Sequence, residues 1–487
     1  MPVTPFAEYA PDQPPVGGST RYVLNVLPKT QGSYGPIKAL VEQGNSLSAT
    51  CQGAGAFRGT DGTVVNFAGD ATHLYLWDGT AWNDVSRTVG GAYATPTEGR
   101  WTFEQFNNTV IASNGVDDPQ AWSIAASSNF VLLGGSPPVF RYQAVVRDFL
   151  MTAHLSTDTQ GVRWSEQFNH AAWTIGTNQA DEQSLRNNGR ITGLVGGQYG
   201  LVFQEHAVTM ATYIGPDLIF QFDQVAEDRG CLAPGSISSL EQTTFFLDGD
   251  GFYRCDGGQS FSRIGHQRVD DTFWADVNQA YLHKITSAID HKTKNYYVAY
   301  PSGSSSGSPD KILVYNFGID RWALLDFGVD VMFNMFASLG YTLDTLDTIY
   351  PDIDLMPISL DSELLLGTPI RKLAAFKSNG KLAFFDGDNM AAVIDSIEAN
   401  IGGFAQSEID RIIPFIDGGT ISALLGKRDR LNDSMTFSAS SSQDQYGDIY
   451  FREPPGRFQR ARISIASGGT WSHAQGIQFE ARAAGDR

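Results

Sequence analysis

The stretch Thr243–Gly265, TTFFLDGDGFYRCDGGQSFSRIG, holds the residue types of a calcium loop. Such a loop needs acids at alternating positions, glycine at the sixth and a bidentate glutamate at the twelfth. Counted from Asp248, the third position is Asp250, but the fifth, sixth and twelfth are Phe252, Tyr253 and Gln259. The metal pattern fails at three places. The Asp-Gly pairs at Asp248-Gly249, Asp250-Gly251 and Asp256-Gly257 instead supply the positive-φ positions of tight hairpin turns. Thr243–Leu247, Phe252–Cys255 and Ser260–Ile264 then become strands of an up-and-down meander.

Other candidate chemistry is weaker still. GSSSG (Gly303–Gly307) matches the nucleophile-elbow pattern at Ser305, but it lies in a low-complexity loop between two strands rather than at a strand-to-helix turn. STDTQGVRW (Ser156–Trp164) is similar to the Asp-box turn of sialidase propellers with one extra residue, and in that turn the Asp side chain caps backbone amides. GTISALLGKR lacks the glycine spacing of a phosphate loop, and HExxH is absent. His154 and His206 lie in apolar stretches that read as strands, where satisfied histidines outnumber ligands. Among 53 acids a hydrolytic pair could converge, but the sequence names none, so no catalytic, metal or cofactor residue is assigned. Cys51, Cys231 and Cys255 are too scattered for a disulfide framework or a CxxC site. With no signal-peptide pattern at the start and no apolar run near 20 residues, the expectation is synthesis in a reducing cytoplasm without a membrane span.

The elements that would position any such residues are hairpins, and they recur. THLYLWDGTAWNDVS, NTVIASNGVDDPQAW, RDFLMTAHLSTDTQGVRWSE and KLAAFKSNGKLAFFDGDNMAAVID repeat the form of an apolar strand, a turn and a returning strand. Blades of four strands take about 40–50 residues. The predicted fold class is therefore mainly β, with a β-propeller of about seven blades over residues 51–395. An extended, proline-rich N-terminal arm and first strand (1–50) precede it, and a C-terminal β-sandwich-like domain (396–487) follows. In RFQRARISI, Arg460 and Arg462 alternate with Ala461 and Ile463, giving one charged and one packed face. Val269–Asp290 carries the best helical signal, with Asp270 or Asp271 as the expected cap, and reads as a connector between blades. Trp322–Ile370 contains no Lys or Arg and reads as an exposed acidic insertion, centred on 329–370. Its candidate channel or assembly residues are Asp344, Asp347, Tyr350, Asp352, Asp354 and Asp361, with Leu343, Leu346, Ile349, Tyr350 and Leu355 as docking contacts.

The order of segments carries a resemblance. YAPDQPPVGGSTRYVLNVLPKTQGSYGPIKAL precedes the hairpins, GLVGGQYGLVFQEHAVTMATYIG and FLDGDGFYRCDGG follow, then AIDHKTKNYYVAYPS, KILVYNFGIDRWAL and SSSQDQYGDIYF. This layout resembles the tail nozzle or tail-hub proteins of short-tailed bacteriophages, the group that includes packaged-DNA stabilisation proteins. The resemblance implies a structural virion protein, six copies in a ring below the portal and head–tail adaptor, that retains DNA and forms its ejection channel. It also implies tail fibre or tailspike neighbours and passage of viral DNA without sequence-specific binding. The formal net charge of −19 agrees with a wall that repels phosphate, and equally with plain solubility. A receptor-binding tail protein for host glycans and a propeller glycoside hydrolase are the competing expectations.

Overall fold

The computed structural model describes residues 3–16, 18–337, 352, 369–400 and 406–484. Seven four-stranded antiparallel sheets follow one another, over residues 53–84, 102–132, 140–184, 191–227, 238–263, 286–325 and 331–389. Within each of the first six, strands pair in chain order, because a hairpin needs only a short turn to bring the next strand into register; the seventh adds Lys38–Ser46 to the three strands of 331–389. First strands of neighbouring sheets pack together at six junctions, the seventh (Val331–Ala337) against the first (Gly53–Arg58) included, and the fourth and fifth sheets meet through Phe203 and Phe246, so the sheets stand as blades around a central channel. The protein is a mainly β propeller with additional C-terminal sheets.

The turns follow from their acids and glycines. At Asp78-Gly79 the carboxylate accepts the amides of Thr80 and Ala81, both at 2.8 Å, while Gly79 takes φ +105°. In the stretch that could have been a calcium loop, Thr243–Asp248 pairs with Gly251–Asp256 around Gly249 and Asp250. Gly249, expected at positive φ, is not there: the left-handed position falls on Gly251, at φ +141°. A Cβ on Gly251 would also come within 2.2 Å of the Asp270 carboxylate, so this glycine is needed for close approach as well as for the turn.

The seventh blade takes its outer strand from Lys38–Ser46, upstream of the first blade, paired for example as Phe384 with Val41. This joins the two ends of the propeller and covers a sheet edge. The acid-rich run without Lys or Arg begins inside blades rather than in an insertion. Arg321–Leu325 closes the sixth blade, and Val331–Ala337, with Val331, Met332 and Met335 buried, is the first strand of the seventh. An acid count alone cannot mark these strands, because their apolar residues decide their burial.

Two six-stranded sheets complete the chain. In one, Ser407–Ile416 and Ala474–Ala483 pair at the centre, and the N-terminal Thr4–Pro5, Val26–Thr30 and Ser33–Pro36 join them. In the other, Ile421–Arg428 pairs with Phe458–Ile465, which pairs with Ala392–Asp395 and, beyond it, Val23–Leu24. Along Phe458–Ile465 burial alternates as the sequence predicts, and Arg460 and Arg462 turn to the fully buried Asp395, at 3.5 and 2.7 Å. The helix Asp270–Asp276 lies between blades five and six, but its cap is remote. Asp12, from the N-terminal arm, accepts the amides of Asp271 and Thr272, both at 2.9 Å. Asp270 is not the cap; it turns inward and accepts the Phe252 amide at 3.1 Å.

Candidate functional site

Of the six acidic-segment candidates, Asp344, Asp347, Tyr350, Asp354 and Asp361 lie outside the described residues, and Asp352 is exposed. The docking residues Leu343, Leu346, Ile349 and Leu355 also lie outside them. Elsewhere the acids serve turns. Asp158 of the Asp-box-like segment accepts the Gln160 amide at 2.9 Å, as a capping Asp should. Asp250 pairs with Tyr253 and Arg263, and Asp256 with Thr243 and Arg254. Among the described residues no three metal-ligating side chains converge. Ser305 donates to the Ser308 carbonyl at 2.5 Å, within a loop joining two strands of blade six. His206 is exposed in a turn, not in a strand as the sequence suggested.

What the fold does bring together lies at the mouth of the propeller channel where the first strands begin. Thr102–Phe106, Phe140–Val146 and Ile191–Val195 are the first strands of blades two to four. With the connectors around Arg100, Pro234 and His283 they line a cavity of about 610 Å³. Cations crowd one side. Arg100 donates Nε to the His283 carbonyl at 3.3 Å and Nη2 to those of Lys284 and Ile285, both at 2.9 Å. Arg141 donates Nη2 to the Glu98 carbonyl at 2.9 Å. Neither is in an ion pair with a carboxylate among the described residues, whereas Arg190 is paired with Glu205 at 2.9 Å. Burial pulls the Arg100 guanidinium below its ordinary value. Burial also lowers His154, whose Nδ1 lies 2.7 Å from the Ile191 carbonyl, and the fields of Arg141 and Arg190 add to that.

Further along the channel wall stands Glu104, half-buried. Burial pushes its carboxyl up to about 7 against the pull of the Val145 and Gln105 amides. Two buried polar side chains complete the wall. Gln143, 6 % exposed, donates to the carbonyls of Thr102 and Ile111, but its Oε1 has no partner; the Oγ1 of Thr192, 4 % exposed, has none either. No family model and no curated protein sequence matches the chain. Among solved structures, the computationally designed Ika8 protein is 11 % identical with a TM-score of 0.37, over 71 % of this chain and 99 % of that one. The extracellular domain of a B. thetaiotaomicron protein assigned to the hybrid two-component systems is 10 % identical with a TM-score of 0.43, over 89 % of this chain and 47 % of that one. A chain of the mitotic checkpoint complex is 9 % identical with a TM-score of 0.39, over 76 % of this chain and 96 % of that one.

Sequence reasoning weighed His154 only as a core or surface group and did not single out Arg100, Arg141, Glu104, Gln143 or Thr192. They come from three blades and share no local motif. The one signal within reach was position: each lies on, beside or just before the first strand of a blade, and first strands face the channel of any propeller.

A second feature of the molecule is mechanical. Arg321, 2 % exposed, reaches from blade six into the N-terminal segment. It donates Nη1 to the carbonyls of Thr30 and Gln31, at 2.9 and 2.8 Å, and Nη2 to that of Ala7 at 2.6 Å. Its guanidinium also lies over the Tyr34 ring, 4.6 Å from the centroid. Around this bolt one hydrophobic core runs without a break from Phe252 and Trp322 of the blades, through Phe6 and Tyr34, to Ile412 and Phe479 of the C-terminal sheets.

Proposed function

We propose that the protein is a structural virion component: a subunit of a bacteriophage tail nozzle or hub. Six copies form a ring below the portal and head–tail adaptor, retain the packaged DNA, shape its exit channel and present the outer face to tail fibres or tailspikes. The observation that supports this reading is the unbroken core joining propeller and C-terminal sheets, strapped by the N-terminal segment. A part that holds back pressurised DNA must pass load between neighbours without hinging, and a shared core with a buried arginine bolt supplies such stiffness. The order of segments along the chain supports it independently. DNA would pass along the ring axis between subunits, since a cavity of about 610 Å³ inside one propeller takes a small molecule and not a duplex.

The test is electron microscopy of the chain co-expressed with portal and adaptor proteins of a short-tailed phage. A symmetric ring seated under the adaptor is the expected result, with immunogold label at the tail of intact virions. A chain that stays monomeric with both proteins present, and is absent from virions, overturns the reading.

A further inference from the structure

The cavity at the propeller mouth calls for a ligand on electrostatic grounds that do not depend on the nozzle reading. A half-buried guanidinium whose free N–H groups face a cavity can be completed by an anion entering it. Arg100 has three carbonyl bonds and Arg141 one, which leaves Nη1 of Arg100 and both Nε and Nη1 of Arg141 without a partner among the described residues. The acids on the same wall do not answer them: Glu205 is taken by Arg190, and Glu98 offers Arg141 its backbone carbonyl rather than its carboxylate. The lining sets Arg100, Arg141 and Arg190 against Glu98, Glu104 and Glu205, so in a chain of net charge −19 this wall is balanced rather than acidic.

The rest of the wall asks for hydroxyls. Oε1 of Gln143 is an acceptor without a donor, Oγ1 of Thr192 can give or take a hydrogen bond and does neither, and the Glu104 carboxyl has no side-chain partner. Buried polar atoms are nearly always paired, so two orphans beside one cavity need a source of partners. The Tyr142 ring, which also lines the cavity, offers an apolar ledge, its hydroxyl kept neutral by burial that pushes it up to about 12. We propose that this cavity binds a small polyhydroxylated anion, a sugar acid or sugar phosphate. Its charged group sits between Arg100 and Arg141, and its hydroxyls meet Gln143, Thr192 and Glu104.

The experiment is isothermal titration of the full chain with D-glucuronate, glucose 6-phosphate, glucose and inorganic phosphate, repeated on two variants. Wild type binds at least one of the two sugar anions, glucuronate marking a sugar-acid site and glucose 6-phosphate a sugar-phosphate site. Glucose and inorganic phosphate each bind at least tenfold more weakly, because each has half of the recognised chemistry. Arg141→Gln lowers the affinity tenfold or more. Thr192→Val keeps the shape of the wall and removes only the orphan hydroxyl, so it lowers affinity about fivefold with an unchanged or higher Tm. That second variant keeps the test decisive if Arg141→Gln does not fold. Failure of both sugar anions to bind, equal binding of inorganic phosphate, or undiminished affinity in the variant that folds overturns the proposal.

Discussion

Glu104 shows how one side chain's surroundings become a property of the whole protein. Its ordinary value is 4.5 and burial at the channel wall raises it to about 7. Below pH 4.5 the folded and unfolded chains are both protonated here and the group is neutral to stability. As pH rises from 4.5 to 7 the unfolded chain releases a proton that the folded chain keeps, so stability falls, and the cost is complete above pH 7. Glu104→Gln removes it. Urea unfolding should find the variant more stable than wild type by about 1–2 kcal/mol at pH 8, allowing for solvent on the channel side, and no different at pH 4. Equal effects at both pH values would mean that Glu104 ionises freely. Gly257 makes the opposite case, where backbone and not charge decides. It sits at φ +59°, and a Cβ added there would meet nothing within 4 Å. Gly257→Val should still cost about 1–2 kcal/mol in the same assay, and Gly257→Ala less, because a β-branched side chain resists the left-handed region. A harmless valine would show that this turn does not need its glycine. The turn was legible in the sequence because its chemistry is local. Glu104, in WTFEQF, was not, since its environment is built from the neighbouring blade.

At the scale of elements, the N-terminal segment does the most with the fewest residues. It gives Lys38–Ser46 to the seventh blade, three strands to one C-terminal sheet and one to the other, and Asp12 to the helix in front of blade six. Arg321 fixes it in place. Arg321→Met keeps the apolar stem but leaves the carbonyls of Ala7, Thr30 and Gln31 without their shared donor, and should cost about 2 kcal/mol or more in chemical unfolding. Arg321→Lys retains the charge without the fork and should fall between. A methionine variant as stable as wild type would mean that the strap holds by its strands alone. The same segment marks the limit of reading a sequence by pattern. Hairpins announce themselves, because Asp-Gly and Asn-Gly turns sit between apolar runs, and so the meanders and the number of blades were legible. Strands that pair with partners 340 or more positions away, as Val41 does with Phe384, carry no local mark. Nor does a cap such as Asp12, which works on a helix 258 residues downstream of itself.

For the whole molecule, the question is whether propeller and C-terminal sheets are two bodies or one. Their compositions differ, and a chain of this length commonly divides into domains with separate cores. The packing does not divide here. Phe6, Tyr9 and Tyr34 lie in one cluster with Phe252, Phe273 and Trp322 on the propeller side and Ile409, Ile412 and Phe479 on the other. Pulling the sheets away would bare this surface and break the Arg321 bonds in the same step, so neither part gains by opening alone. Differential scanning calorimetry should therefore show a single endotherm, with van't Hoff and calorimetric enthalpies in agreement. Deleting residues 1–36 leaves the blades their outer strand but removes the strap, and should lower the transition of the whole chain rather than of the C-terminal part. Two resolved endotherms in the full chain would show that the cores are energetically separate. A load would then turn the C-terminal sheets about the propeller, and the stiffness on which the nozzle reading leans would be lost.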